Sequence, residues 1–178
     1  IETSVVVVRA DSPYKTVQEL VAAAKKKSNM RASTNGMKAS NHTAAQLFAQ
    51  SAGFKYKAIP YGGTADQLLA LRQGEVQFTC AKVADVAKLV SGDKPELRIL
   101  AAFDTKRLAE FPDVPTLGEL GYYPNWYGSA RALVAPAGTP DDVIAFYVDA
   151  FKKTMEDPQT IEQHKKAGLS MQFMDNKE

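Results

Sequence analysis

The stretch IPYGGTADQLLALRQGEVQ, residues 59–77, places an adjacent pair of glycines between two segments of different periodicity. The residues YKAIP at its beginning are typical of a short strand, and ADQLLALRQG has the apolar spacing of a helix that ends at Gly74. The segment EVQFTC then predicts a further strand. A strand, a turn, a helix and a second strand form the unit from which α/β domains are built.

The same alternation extends in both directions from this unit. Upstream, TSVVVVRA and MRAST predict two strands, and the helix between them should begin with a T-x-x-E capping box formed by Thr16 and Glu19. The segment HTAAQLFAQSAG predicts a helix that ends at Gly53. Downstream, VADVAKLVSG predicts a helix and LRILAAF a strand. The sequence therefore predicts an α/β domain with a mainly parallel sheet.

The pattern changes after Phe103, where proline, glycine and aromatic residues follow without a clear period. This stretch is predicted to be an irregular crossover, and ARALVAP after it predicts another strand. Thr139 is expected to cap the next helix, with Pro140 in its first turn. A short helix should follow Pro158, and LSMQFM predicts a final strand.

Composition limits the classes of function. The chain has 178 residues, of which 45% are hydrophobic and 24% charged, so a globular protein of one or two small domains is expected. A net charge of +2 gives no support for a nucleic-acid partner, and the single cysteine excludes an internal disulfide. Because no apolar run approaches the ~18 residues of a membrane span, we expect no membrane-spanning segment. No leader peptide opens the chain, so either the protein is cytoplasmic or its leader is missing.

The first of two polar strand-to-helix loops is STNGMKASNH, residues 33–42. Its hydroxyl and amide side chains surround Gly36, and Ser40 or Asn41 is predicted to cap the following helix. In an open parallel sheet, ligands bind beyond the carboxyl ends of the strands. Backbone N–H groups at a helix start carry partial positive charge, so this loop is suited to an anion.

The second loop is PYGGTADQ, in which Gly62 and Gly63 are predicted to permit close approach and Thr64 to cap the helix. Together the two loops would form an anion cradle of backbone amides without an arginine. The alternative is structural, because glycine, serine and asparagine are also the normal residues of turns and caps.

We find no catalytic constellation. Ser40 and His42 are close in sequence, but no G-x-S-x-G motif surrounds them, and His164 is expected to be exposed near a helix end. Cys80 ends a strand and is either reactive or a small buried residue. Two distant histidines and one cysteine do not make a metal site. Neither a G-x-G-x-x-G motif nor a P-loop occurs, so no cofactor is predicted.

Four blocks of the chain resemble, in order, segments of one family. IPYGGTADQLLALRQGEVQ, STNGMKASNHTAAQLF, FDTKRLAEFPDVPTLGELGY and LVAPAGTPDDVI are similar to segments of the periplasmic solute-binding proteins of tripartite tricarboxylate transporters, the Bug or TctC group. The resemblance covers nearly the whole chain. It implies a periplasmic-binding-protein-like (type II) α/β fold, a mixed sheet flanked by helices. It also implies a non-catalytic protein that binds a small organic acid and works with membrane transporter subunits.

The resemblance also implies a set of ligand-binding residues. Most lie in the two polar loops, and three lie at or just after the ends of later strands: Ser33, Thr34, Asn35, Gly36, Ser40, Asn41, His42, Tyr61, Gly62, Gly63, Thr64, Cys80, Lys82 and Asp104. The sequence departs from the family where Gly62 replaces a frequent lysine and Thr64 a frequent glycine. Lys82 follows Ala81, near which the family often has an aspartate. Lys82 is therefore either a cation close to the ligand or an exposed lysine.

Compared with the family, the chain is expected to be incomplete. Residues 9–125 are predicted to be a complete second lobe, and residues 1–8 and 126–178 the remaining part of a first lobe, without the periplasmic leader. Amides from one lobe alone should bind a carboxylate only in the millimolar range. Two other hypotheses stay open from the residues alone: the effector-sensing lobe of a transcription regulator, and a small-acid lyase or hydrolase.

Overall fold

The computed structural model of the protein describes residues 1–26, 29–166 and 173–175. Strands and helices alternate along the first hundred residues, as the sequence predicts. The elements are β1 (Glu2–Arg9), α1 (Val17–Lys26), β2 (Arg31–Thr34), α2 (Ser40–Ala52), β3 (Lys57–Pro60), α3 (Thr64–Arg72), β4 (Phe78–Lys82), α4 (Val83–Val90), β5 (Leu97–Ala102), β6 (Gly128–Ser129), α5 (Asp141–Glu156) and α6 (Pro158–Lys166).

The chain divides into two compact units. The larger unit, Thr3–Ser129, contains the sheet and helices α1 to α4. The smaller unit comprises Ile1–Glu2 and the residues from Ala130 onward, with helices α5 and α6. The lobe boundaries expected from the family resemblance stay a prediction.

The sheet of the larger unit has the strand order β3-β2-β4-β1-β5, and β6 also pairs with β1. Strand β2 runs parallel to both β3 and β4. Strand β1 is antiparallel to β4 and to β5, so β4 and β5 share one direction and β1 is reversed between them. The predicted mixed sheet is confirmed, and the mainly parallel sheet expected from periodicity alone needs this one correction.

Helices cover both faces of the sheet. Strand β1 is apolar on both faces, so each face must be buried against other elements. Val6 and Val8 point toward α1 and α2, in a core that also contains Phe48 and Phe78. The side chain of Val7, on the opposite face, packs in a second core with residues of α3 and α4. Residues buried on both faces give a strand a continuous apolar run instead of alternation. The buried core therefore fixes the sheet that carries the candidate site.

Several local predictions are confirmed. The N–H of Glu19 donates to Thr16 Oγ1 at 3.2 Å, and the N–H of Thr16 donates to Glu19 Oε2 at 3.2 Å, which is the expected capping box. Helix α2 ends at Gly53, whose φ of 70° lies in the left-handed region. Helix α6 begins at Pro158, as predicted.

Of three other predictions for the last fifty residues, two are wrong and one falls mostly outside the described residues. The helix-capping residue of α5 is Pro140, and the Thr139 hydroxyl donates to the Pro136 carbonyl at 2.8 Å instead. The predicted strand ARALVAP is wrong, because the two-residue strand β6 ends just before it and Val134 is 93% exposed. An exposed run that pairs with no neighbouring strand cannot form the interstrand hydrogen bonds that define a strand. Most of the predicted strand LSMQFM lies outside the described residues.

Candidate functional site

The direction of the strands gathers the polar loops at one edge of the sheet. Strands β2, β3 and β4 all end there, followed by α2, α3 and α4. Because β1 is reversed, its beginning lies at the same edge, where Ser4 pairs with Lys82. We call this side of the larger unit the carboxyl edge.

Helix α2 begins at the carboxyl edge with unbonded backbone amides. The helix-capping residue is Ala39, which offers no side-chain oxygen, so the prediction of a cap by Ser40 or Asn41 is wrong. The first amide of this turn with a backbone acceptor is that of Thr43, which donates to the Ala39 carbonyl at 2.9 Å. Within the described residues, the amides of Ser40, Asn41 and His42 donate to no acceptor. They are available to an anion.

The loop before α2 is held by its own hydrogen bonds. The Thr34 hydroxyl donates to the Gly36 carbonyl at 3.0 Å, and the His42 ring nitrogen Nδ1 accepts from the Lys38 amide at 3.1 Å. Gly36 has a φ of 121°, a conformation that residues with a side chain rarely adopt. Asn35 Oδ1 is buried and accepts no hydrogen bond in the described part of the chain. A buried acceptor of this kind needs a donor from a ligand or from water.

Helix α3 begins in a similar way. Its helix-capping residue is Gly63, and Thr64 is the first helical residue, so the predicted capping role of Thr64 is wrong. The Gln67 amide donates to the Gly63 carbonyl at 3.1 Å, whereas the amides of Thr64, Ala65 and Asp66 have no acceptor among the described residues. A second group of available amides therefore lies beside the first.

The glycine pair leaves open space at this turn. A Cβ atom at Gly62 would lie 3.5 Å from Asp66 Oδ2, and one at Gly63 would meet nothing within 4 Å. Gly63 is extended, with a φ of −177°, so its role is to leave room and not to relieve strain. The neighbouring Tyr61 hydroxyl donates to Glu75 Oε2 at 2.7 Å, and this bond raises the pKa of Tyr61.

A buried polar network joins the two helix starts. Gln67 is fully buried, and its Oε1 accepts from Asn41 Nδ2 at 2.9 Å. Its Nε2 donates to Thr79 Oγ1 at 2.6 Å and to the Cys80 carbonyl at 2.8 Å. Ser33, also fully buried, donates its hydroxyl to the Gln67 carbonyl at 2.9 Å. Because every one of these groups is buried, the network fixes α2 relative to α3.

Lys82 brings a positive charge to the start of α2. Its side chain is only 5% exposed, so the expectation of an exposed lysine is wrong. The ammonium nitrogen Nζ lies 2.9 Å from Ser4 Oγ, 3.1 Å from Asn41 Oδ1 and 3.3 Å from Ser40 Oγ. It donates to three oxygen atoms, one in β1 and two in the first two residues of α2.

Two further predicted residues lie at the same edge in different settings. Cys80 is fully buried in the core, and burial raises the pKa of its thiol, against the smaller opposing effect of the Lys82 charge. The Asp104 carboxylate accepts from Thr3 Oγ1 at 3.0 Å, and Trp126 Nε1 donates to the same hydroxyl at 3.1 Å. The side chain of Cys80 faces the interior, and that of Asp104 is bonded to the start of β1.

Three residues of this edge were missed from the sequence: Thr3, Ser4 and Gln67. The first two come to the site only because β1 is reversed, and a run of valines carries no signal of strand direction. Gln67 is the polar residue among the buried residues of α3, and its place in the sequence also fits an exposed side chain. A buried glutamine is detectable only from the contacts that surround it.

The described part of the chain contains no group of three or more histidine, cysteine or acidic residues that could hold a metal. It also contains no helix that combines the length and the apolarity needed to cross a bilayer. His164 is half-buried near the end of α6, with Nδ1 2.9 Å from the Thr160 carbonyl.

The fold is that of an α/β protein with a mixed sheet, and comparison with known proteins specifies its family. The chain belongs to the family described as tripartite tricarboxylate transporter family receptor, TctC, whose model matches residues 2–178. The predicted resemblance is thereby confirmed.

Relatives and solved structures agree. A UPF0065 protein of Cupriavidus necator is 34% identical over 97% of this chain and 52% of its own length. A TctC solute-binding protein from Polaromonas, solved without ligand, matches 99% of this chain and 60% of that chain with a TM-score of 0.86 and 26% identity. MatC from Rhodopseudomonas palustris, solved with bound malate, matches 94% of this chain and 56% of that chain, with a TM-score of 0.71 and 19% identity. The chain spans about half the length of the curated relatives it matches.

Proposed function

We propose that the protein captures a small carboxylate ligand in the periplasm and delivers it to the membrane subunits of a tripartite tricarboxylate-type transporter. One observation carries the proposal: two adjacent helix starts at the carboxyl edge present backbone amides without acceptors in the described residues. Membership of a family of transporter receptors supports the role in transport.

The ligand's carboxylate would accept hydrogen bonds from the amides of Ser40, Asn41 and His42. Each charge-assisted hydrogen bond contributes about 1.5–3 kcal/mol. Lys82 adds a positive charge whose nitrogen lies 3.3 Å from the Ser40 hydroxyl. The desolvated position of this charge strengthens its effect on an anion.

The second helix start would contact the rest of the ligand. The open space beside Gly63 gives a ligand access to the amides of α3. Asn35, with its buried oxygen, would accept a hydrogen bond from a ligand hydroxyl. The remaining predicted residues would support the site by packing or through hydrogen bonds: Ser33, Thr34, Gly36, Tyr61, Gly62, Thr64, Cys80 and Asp104.

The proposed ligand class rests on the residues of this chain. MatC, with bound malate, shares the fold at 19% identity, and that likeness supports the architecture alone. The binding role is proposed to be non-catalytic, so the ligand should leave the protein unchanged.

Saturation-transfer NMR with succinate, malate and adipate, each compared with its neutral diamide, tests the proposal. We expect transfer to the carboxylates only, and a ligand spectrum that stays unchanged for hours. Equal transfer to the diamides would contradict the anion site, and new product signals would contradict a non-catalytic role. Carboxylate uptake into vesicles that contain the membrane subunits of the same genome should require the protein; uptake that is equal without it would contradict the transport role.

A further inference from the structure

A concave surface lies at the opposite edge of the sheet, where the parallel strands begin. It has a volume of about 950 Å³, and the starts of β2 and β3 contribute Arg31 and Lys57 to its wall. Lys26, in the last turn of α1, lines it as well. We call this surface the amino-edge hollow.

Two of these cations belong to neighbouring residues of adjacent strands. Arg31 and Lys57 are direct partners in the parallel register of β2 and β3. Like charges on neighbouring positions of adjacent strands repel each other. The negative end of the α1 dipole suits Lys26, but neither Arg31 nor Lys57 is in a helix. The arrangement therefore has an electrostatic cost that a bound anion would relieve.

The described residues that line the hollow supply no negative charge. No aspartate or glutamate is among the described residues that line the hollow, and none of its three cations forms an ion pair with another described residue.

Neutral donors complete the hollow. The Oε1 atom of Gln77 accepts from the Arg31 amide at 2.9 Å. Its Nε2 donates to no acceptor among the described residues. Tyr14, whose hydroxyl can donate, lines the same wall. An arginine, two lysines, a glutamine and a tyrosine thus line one open volume.

We propose that the amino-edge hollow is a second binding site, for a phosphate group, separate from the carboxylate site at the other edge. A phosphate carries more charge than a single carboxylate and has oxygens enough to accept from several donors. Arginine matches phosphate with two parallel hydrogen bonds, and lysine adds point charges. The phosphate would come from a soluble phosphate compound or from a phospholipid headgroup.

Calorimetry with inorganic pyrophosphate at low ionic strength tests for a soluble source. Arg31→Gln and Lys57→Gln should each weaken binding about fivefold or more, because each removes one of three converging charges. Both side chains are exposed, so the variants should fold, which circular dichroism can check. Lys94→Gln, which removes an exposed charge outside the hollow, should change the affinity less than about twofold.

Cosedimentation with phosphatidylcholine vesicles, with and without phosphatidic acid, tests for a lipid source. Binding of pyrophosphate that depends on Arg31 and Lys57 would support a soluble ligand, and equally dependent binding to phosphatidic acid vesicles alone would support a headgroup. No binding in either arm, or an equal loss with Lys94→Gln, would overturn the proposal. The carboxylate site plays no part in these measurements, so its failure would be seen separately.

Discussion

The first turns of α2 and α3 have the same backbone design and opposite electrostatics. Both follow parallel strands, and both present three amides without an acceptor in the described residues. Helix α2 has no acidic residue in its first turn and has Lys82 beside it, whereas the first turn of α3 contains Asp66. A helix N-terminus alone therefore does not define an anion site, and the neighbouring side-chain charges decide where the carboxylate binds.

The difference assigns separate tasks to the two turns. The α2 turn should hold the negatively charged group, and the α3 turn, with its open glycine and its own carboxylate, should hold a neutral or donor-bearing part of the ligand. Gln67 holds the two turns in a fixed relative position through buried hydrogen bonds. Four substitutions test this division, beginning with the largest expected effect.

Replacing Gln67 with leucine should break the link between the two turns. Asn41 and Thr79 would lose buried partners, so we expect the free energy of unfolding to fall by about 2–4 kcal/mol. Urea denaturation measures the change. Gln73→Leu, at the exposed end of the same helix, is the matched control and should stay within about 0.5 kcal/mol of wild type. Equal stability of the two variants would show that the network does not hold the turns together.

Lys82→Met should weaken carboxylate binding about tenfold or more, because it removes the charge next to α2 and keeps a similar side-chain length. The dissociation constant can be followed by NMR titration with succinate. Lys88→Met, on an exposed position of α4, controls for the change in net charge. An affinity unchanged in Lys82→Met would place the carboxylate elsewhere.

Gly63→Val should reduce binding severalfold while the protein stays folded. The backbone of Gly63 is extended and its surroundings are empty, so valine fits but fills the space proposed for the ligand. Gly63→Ala fills less of it and should have a smaller effect. A titration in which both variants bind like wild type would exclude this space from the site.

Asp66→Asn should have the smallest effect and the opposite direction. Removing a negative charge from the first turn of α3 should strengthen carboxylate binding about twofold. The same titration measures it, with Asp93→Asn in the exposed loop before β5 as the control. Weaker binding by Asp66→Asn than by its control would mean that Asp66 contacts a donor group of the ligand.

The sequence predicted the order of elements and the position of the polar loops, because periodicity and capping are local signals. The Thr16–Glu19 box and the Gly53 helix end are examples. The helix-capping residues Ala39 and Gly63 were not predicted, since turns rich in serine, asparagine and threonine offer several equivalent candidates.

The surroundings of the site residues could be determined only from the structure. The buried Lys82 ammonium donates to the hydroxyl oxygen of Ser4, seventy-eight positions away in the chain. That contact depends on the reversed direction of β1, which no local pattern encodes. The resemblance to a known family predicted the mixed sheet, whereas periodicity alone predicted where along the chain its strands lie.

The amides at the start of α2 are proposed to hold the carboxylate of the ligand. A ¹H–¹⁵N correlation spectrum recorded during titration with succinate, and in parallel with succinamide, detects this contact even at millimolar affinity. We expect the signals of Ser40, Asn41 and His42 to shift furthest with succinate and to stay in place with the neutral diamide. Stationary signals for these three amides, or equal shifts with both compounds, would contradict it.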